Sequence, residues 1–294
     1  MNFRILCFTC EDTRLSTLRC VLLVCAHLFF PTCSPPATGR YVASPPANAN
    51  AKDLLDRLST QFPVLRAFIF DIDGTLVDSN ELHVDSWDRA FRKFGKHFPR
   101  EALRAQIGKG SDQYLPEFLT PDEIKRFGKE LDDYRSELFR KEYLPKARPF
   151  PKVRELFQRI RDDKRIVLAS SGKKADTKYY VKLLKIDNLI EGYTSGDDAD
   201  NSKPAPDIFA ASLKKLGGIS PADAVSVGDK RFDIEAARKA GLKTIAFLCG
   251  GTSESVLRQA GAVVIYRDPA DFLAHYDELT TSNVLIPESG RGRI

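Results

Sequence analysis

Residues 65–75, LRAFIFDIDGT, are the stretch from which the rest of the chain can be read. The run Leu65–Ile72 is short, apolar and rich in aromatic and β-branched residues, and it ends in an Asp-x-Asp-Gly turn. That pattern reads as a buried parallel strand delivering acidic side chains at its carboxyl end. Three later runs look alike: Arg165–Ala169 (RIVLA), Ala224–Val227 (AVSV) and Lys243–Phe247 (KTIAF). Helical patterns lie between them. In Pro204–Leu216, proline stands at the start, Phe209, Leu213 and Leu216 share one face, and Gly217 follows the end. Strands alternating with helices predict an α/β fold built on a doubly wound, Rossmann-like parallel sheet, with ligands outside the carboxyl ends of the strands.

One interval breaks the alternation. From Asn80 to about Arg148 there is no strand pattern, only helical stretches (Glu81–Phe94, Pro121–Tyr143) separated by Gly and Pro. The reading is an α-helical cap domain inserted after the first strand, over residues 80–148, with a rigid re-entry at Arg148-Pro149-Phe150-Pro151. The α/β core then comprises residues 64–79 and 149–279, and residues 280–294 are expected to form a flexible tail.

Residues 1–50 are set apart by composition. Five of the six cysteines (Cys7, Cys10, Cys20, Cys25, Cys33) lie there, so the body of the chain, with Cys249 alone, is no disulfide scaffold. The apolar run Leu18–Phe30, preceded by Arg14 and Arg19, has the shape of a secretory signal peptide and is short for a membrane span. Its competitor is a translation start placed too far upstream. A cytoplasmic location is the expectation, with export as the alternative if Leu18–Phe30 is a genuine signal core. The Pro-, Ala- and Asn-rich residues up to Ala51 read as a linker, and Leu54, Leu55, Leu58 and Phe62 have helical spacing. Of the formal charge of +5, +2 falls in residues 1–50 and +1 in residues 281–294. The body carries only the remaining +2, which excludes a nucleic-acid footprint.

Four motifs fall at strand ends. Asp71 and Asp73 sit one residue apart, and a strand ending in a glycine turn can splay their carboxylates, so that one attacks while the other handles a proton. Ser170-Ser171-Gly172 places hydroxyls and free N–H groups at a helix entrance, suited to an oxyanion or to ordinary capping. Lys203 stands ahead of a proline-initiated helix, where its ammonium and an anion would both be held. Asp229 and Asp233 bring further carboxylates to the same rim, and Asp71, Asp229 and a phosphate oxygen would suffice for Mg²⁺.

Taken together, the strings FDIDGTLVDS, LASSG, SKPAPDIF and GDKRFDIEAARKAG resemble the haloacid dehalogenase superfamily, and within it the phosphatases and β-phosphoglucomutase-like enzymes with a helical cap after the first motif. The resemblance spans about Arg66 to Gly261. It implies a small phosphorylated metabolite as substrate, Mg²⁺ as cofactor, and Asp71 as a nucleophile that forms an aspartyl-phosphate. Asp73 would be the acid and base, its backbone carbonyl joining the metal shell. Thr75, Ser170 and Ser171 would bind the phosphoryl group, with Lys203 as counter-charge. Asp229 would hold the metal, and Asp233 would support that shell or orient Lys203. Asp73 and Asp229 together argue against the metal-independent dehalogenases. His83, ten residues after Asp73, and Trp87 match positions in sugar-phosphate mutases and in many sugar phosphatases. The segment Gln106–Asp112 has Lys109 but lacks the arginine that mutases carry shortly after, which favours a phosphatase. His83 and Lys109 are the expected substrate contacts from the cap. A binding protein without turnover is the remaining competitor.

Overall fold

A computed structural model describes residues 65–281. The readings of residues 1–64 as signal, linker and helix lie outside the described residues, as does the tail expected over 280–294 except for Thr280 and Thr281, which end the helix Tyr276–Thr281. The strands in chain order are β1 (Ala67–Phe70), β2 (Val77–Asp78), β3 (Arg148–Pro149), β4 (Arg165–Ala169), β5 (Gly192–Thr194), β6 (Ala224–Gly228), β7 (Lys243–Phe247) and β8 (Val264–Tyr266). Six of them form one parallel sheet in the order β5-β4-β1-β6-β7-β8. The chain leaves β1 toward β4 and β5, then returns across β1 to β6, β7 and β8. That reversal beside β1 opens a crevice at the carboxyl ends of β1, β4 and β6.

Alternation along β1 explains why both faces of the sheet are covered. Phe68 and Phe70 join a core with Ile166, Leu168, Val225 and Val227, whereas Ala67 and Ile69 join a second core with Val167, Ala169 and Ala224. Ile72 continues the first set, which leaves Asp71, the residue between Phe70 and Ile72, at the strand's mouth.

The interval after β1 is helical. Asn80–Lys93, Arg100–Gln106 and Lys129–Leu138 are its longest α-helices. They surround their own apolar cluster, in which Val84, Trp87 and Phe91 pack with Leu103, Tyr114 and Leu131. The stretch Pro121–Tyr143 begins at a Thr120–Glu123 capping box and is not uniform: Ile124–Gly128 and Phe139–Tyr143 widen into π-helical turns. The two passages between core and cap run side by side, because β2 pairs antiparallel with β3. Among the described residues, no helix is long and apolar enough to cross a membrane.

Two expectations need correction. The helix expected at Pro204–Leu216 is Asp207–Lys215. Residues preceding a proline are driven out of the α region, and here Lys203 precedes Pro204 and Ala205 precedes Pro206, so the helix starts only after the second proline. Strands β5 and β8, at the two edges of the sheet, were not expected.

Candidate active site

The site assembles at the carboxyl ends of β1, β4 and β6. Asp71 directly follows β1, and its N–H is fixed to Val227 on β6 at 2.8 Å. Its carboxylate accepts from Lys203 Nζ at 2.5 Å through Oδ1 and from Thr75 Oγ1 at 3.0 Å through Oδ2. Lys203 is fully buried; its ammonium donates to Asp71 and to the Ala169 carbonyl at 2.8 Å and forms an ion pair with Asp233 Oδ1 at 2.8 Å. Thus its charge is held by two carboxylates and the end of β4, not by the helix N-terminus expected from the sequence. Burial works against the ammonium, but Asp233 and Asp71 more than offset it and raise its pKa.

One oxygen each of Asp71, Asp229 and Asp233 lies within 4.8 Å of the others, and all three residues are buried. Burial, then the neighbouring charge of Asp233, pushes the Asp71 carboxyl well above the usual range, against the pull of Lys203. Burial likewise raises Asp229, with Lys230 opposing it. Three crowded carboxylates, of which Asp71 and Asp229 resist ionisation, call for more positive charge than two lysines supply, and an all-oxygen donor set suits a hard divalent cation. The residues present therefore fit such an ion.

Asp73 faces the other way. The Gly74 turn, with φ +81°, separates it from that cluster, and its Oδ1 meets Ser79 Oγ at 2.6 Å and His83 Nε2 at 2.8 Å. Burial alone would raise its pKa, but His83 and Ser79 overcome this and hold it at about 2. A polar cavity of about 240 Å³ lies between core and cap, lined by Asp71 and Asp73 from below and by His83, Trp87, Lys109 and Arg135 from the cap.

The other expected residues are placed as follows. Ser170 Oγ accepts from the Gly172 N–H at 3.0 Å, an ordinary turn bond. Ser171 lines the cavity, and its buried hydroxyl has no hydrogen-bond partner among the described residues. Thr75 also reaches Asp229 Oδ1 at 3.2 Å, so it bridges two carboxylates. Lys109 lines the cavity, but its ammonium is bound to Glu117 at 2.7 Å and lies over the Phe232 ring, so its charge is already engaged.

Several residues escaped the sequence reading. Asn80 donates to Asp229 Oδ2 at 3.0 Å and to the Gly250 carbonyl at 2.9 Å. Arg135 lies over the rings of Trp87 and Phe139 and donates to His83 Nδ1 at 2.5 Å. Ser202 ties the cap to the core, accepting from the Gly110 N–H at 2.9 Å and donating its own N–H to Asp112 at 3.0 Å. Asn80 and Lys230 adjoin or lie within motifs already singled out, which is the signal that would have drawn attention to them.

A family model described as haloacid dehalogenase-like hydrolase matches residues 68–247. The chain is 26% identical over 209 residues to the phosphorylated carbohydrates phosphatase of Thermotoga maritima, covering 69% of this chain and 94% of that protein. It is 27% identical over 193 residues to the phosphoglycolate phosphatase of Aquifex aeolicus, covering 63% and 86%. Among solved structures it resembles a hydrolase from Pseudomonas syringae, with a TM-score of 0.67, 28% identity, and coverage of 73% of this chain and 99% of that one.

Proposed function

The chain belongs to the haloacid dehalogenase-like hydrolase family, and from that membership we infer that it is a phosphatase that hydrolyses a small phosphomonoester through an aspartyl-phosphate on Asp71. In the first half, an Asp71 oxygen attacks phosphorus while the bond to the leaving oxygen breaks; Asp73, ionised in the free protein, passes to that oxygen a proton it takes from the bound phosphomonoester monoanion. In the second half, Asp73 takes a proton from water, whose oxygen attacks the same phosphorus, releasing inorganic phosphate and regenerating the Asp71 carboxylate.

The observation that carries this reading is the opposed orientation of the two carboxylates. Asp71 is bound to Lys203 and Thr75 beside Asp229 and Asp233, whereas Asp73 is bound to Ser79 and His83, and both line one cavity. Nucleophile and proton-transfer group are thereby separated. Asp71, Asp229, Asp233 and the Asp73 carbonyl are the groups proposed to hold Mg²⁺, which when bound supplies positive charge that keeps Asp71 ionised and offsets the charge of the phosphoryl group. Lys203 supplies fixed positive charge at Asp71, and Thr75, Ser170 and Ser171 are proposed to bind phosphoryl oxygens. His83 fixes the Asp73 carboxylate toward the cavity. The relatives named above act on phosphorylated carbohydrates and phosphoglycolate, which supports a small phosphorylated metabolite as substrate.

A sugar-phosphate mutase would have to hold a second phosphate from the cap. Two cap cations lining the cavity are already engaged, Lys109 by Glu117 and Arg135 against His83. Hydrolysis is the better reading. The test is phosphate release from a panel of sugar phosphates, phosphoglycolate and nucleotides, with and without Mg²⁺. Mg²⁺-dependent release of phosphate supports the proposal, and binding of these compounds without release would overturn it.

A further inference from the structure

Lys230 follows Asp229 directly, and its side chain turns back onto that residue. Its Nζ lies 3.1 Å from Asp229 Oδ2, donates to the Gly250 carbonyl at 2.7 Å and to Thr252 Oγ1 at 3.3 Å, and the side chain is only 10% exposed. The same carboxylate oxygen accepts from Asn80 Nδ2 at 3.0 Å. Backbone closes the remaining approaches: a Cβ placed on Gly250 or Gly74 would fall 1.7 or 2.4 Å from Asp229 Oδ2. That oxygen is walled in by protein. Oδ1, which among the described residues hydrogen-bonds only with Thr75, is left for an incoming cation.

The placement has an electrostatic consequence. Ionised to receive a cation, Asp71, Asp229 and Asp233 carry three formal negative charges, and Lys203 and Lys230 carry two positive ones, leaving one net negative charge. Without Lys230 there would be two. An ammonium sharing a carboxylate with a divalent cation repels it at close range, in a site where burial weakens screening by water and salt. An ordinary surface lysine would have neither the burial nor the three oxygen partners.

Building on the assignment of this cluster to Mg²⁺, we propose that Lys230 is a charge brake on the metal site: its ammonium lowers the affinity of the Asp71–Asp229–Asp233 cluster for a divalent cation. The protein then exchanges its cation with solution instead of retaining it. The opposite role would be to orient Asp229 and so strengthen metal binding, and the two differ in sign.

The test uses the full chain stripped of metal with a chelator and titrated with Mn²⁺. Binding is followed by the electron paramagnetic resonance signal of the free ion, and Mg²⁺ is measured by competition. Lys230→Met removes the charge at similar length, Lys230→Gln removes it but keeps a donor for Gly250 should the Met variant fail to fold, and Lys230→Arg keeps the charge. The neutral variants are expected to bind Mn²⁺ about tenfold more tightly, with Lys230→Arg close to the parent. Equal or weaker binding by the neutral variants would overturn the proposal while leaving the metal site intact. Absence of Mn²⁺ binding by the parent protein would overturn the metal assignment and this proposal together.

Discussion

Replacing Lys203 with methionine should destabilise the protein severely, and more so as pH rises. The change preserves length and apolar packing near Phe209 but deletes an ammonium that donates to Asp71 at 2.5 Å and to the Ala169 carbonyl at 2.8 Å and pairs with Asp233 at 2.8 Å. Removing one partner of a buried ion pair typically costs ~3–5 kcal/mol, because the other charge stays buried without compensation. Two carboxylates share Lys203, so the upper end of that range applies. For a domain of this size each kcal/mol shifts Tm by ~2–4 °C, so a fall on the order of 10 °C is expected. The sign with pH follows from linkage. Left without Lys203, Asp71 would have a folded-state pKa still further above its unfolded value, so protonation favours the folded variant at low pH and that advantage is lost as pH rises through the raised value. Thermal unfolding followed by circular dichroism at pH 5 and pH 8 should therefore show the larger deficit at pH 8. A variant melting within about 2 °C of the parent, less than ~1 kcal/mol, or one with the larger deficit at pH 5, would refute the reasoning.

Other expectations test neighbouring parts of the site. In metal-free protein, Asp71 and Asp229 are raised above the ordinary carboxylate range, so they contribute stability at low pH that is lost as pH climbs through the raised values. Mg²⁺ should accordingly raise Tm more at pH 8 than at pH 5, and equal increments would contradict this. Gly250→Ala places a Cβ 1.7 Å from Asp229 Oδ2, which must shift; calorimetry should show divalent-cation affinity falling at least ~10-fold. Undiminished affinity would show that the carboxylate does not bind the ion. Arg135 can only donate, so His83 Nδ1 must accept from it and Nε2–H is left to point at Asp73. Arg135→Met should lower kcat by roughly tenfold with little change in KM, and nitrogen NMR should show mixed His83 tautomers. A rise in KM at constant kcat would instead make Arg135 a substrate contact.

How far the sequence could be read depended on how local each determinant is. RIVLA and KTIAF coincide with β4 and β7, because central strands of a parallel sheet are continuous apolar runs that need no partner to be recognised. Gly192–Thr194, three residues at a sheet edge, shows neither a run nor an alternation, whereas Val264–Tyr266 ends the apolar run AVVIY of residues 262–266, a signal that was present and not used. The helix after Lys203 was placed too early because one proline suggests a helix start, while two prolines separated by Ala205 delay it. Within the site, Asp71, Asp73, Lys203 and Asp229 were legible because each occupies a strand end or the loop that follows. Asn80 reaches Asp229 across 149 residues and Arg135 reaches His83 across 52, and no spacing rule records such contacts. Lys230 stood in view inside GDKRFD, but that its side chain folds back onto Asp229 became apparent only from the position of Gly250.

The claim on which the account depends is that Asp71 becomes covalently phosphorylated during turnover. The direct measurement is peptide mass spectrometry on protein quenched in acid while hydrolysing a substrate found in the phosphate-release panel, with Asp71→Asn as the control. One phosphoryl group is expected on the peptide containing Asp71, located at that residue, with loss of both the modification and turnover in Asp71→Asn. A phosphoryl group on another side chain, or sustained phosphate release by Asp71→Asn, would contradict it.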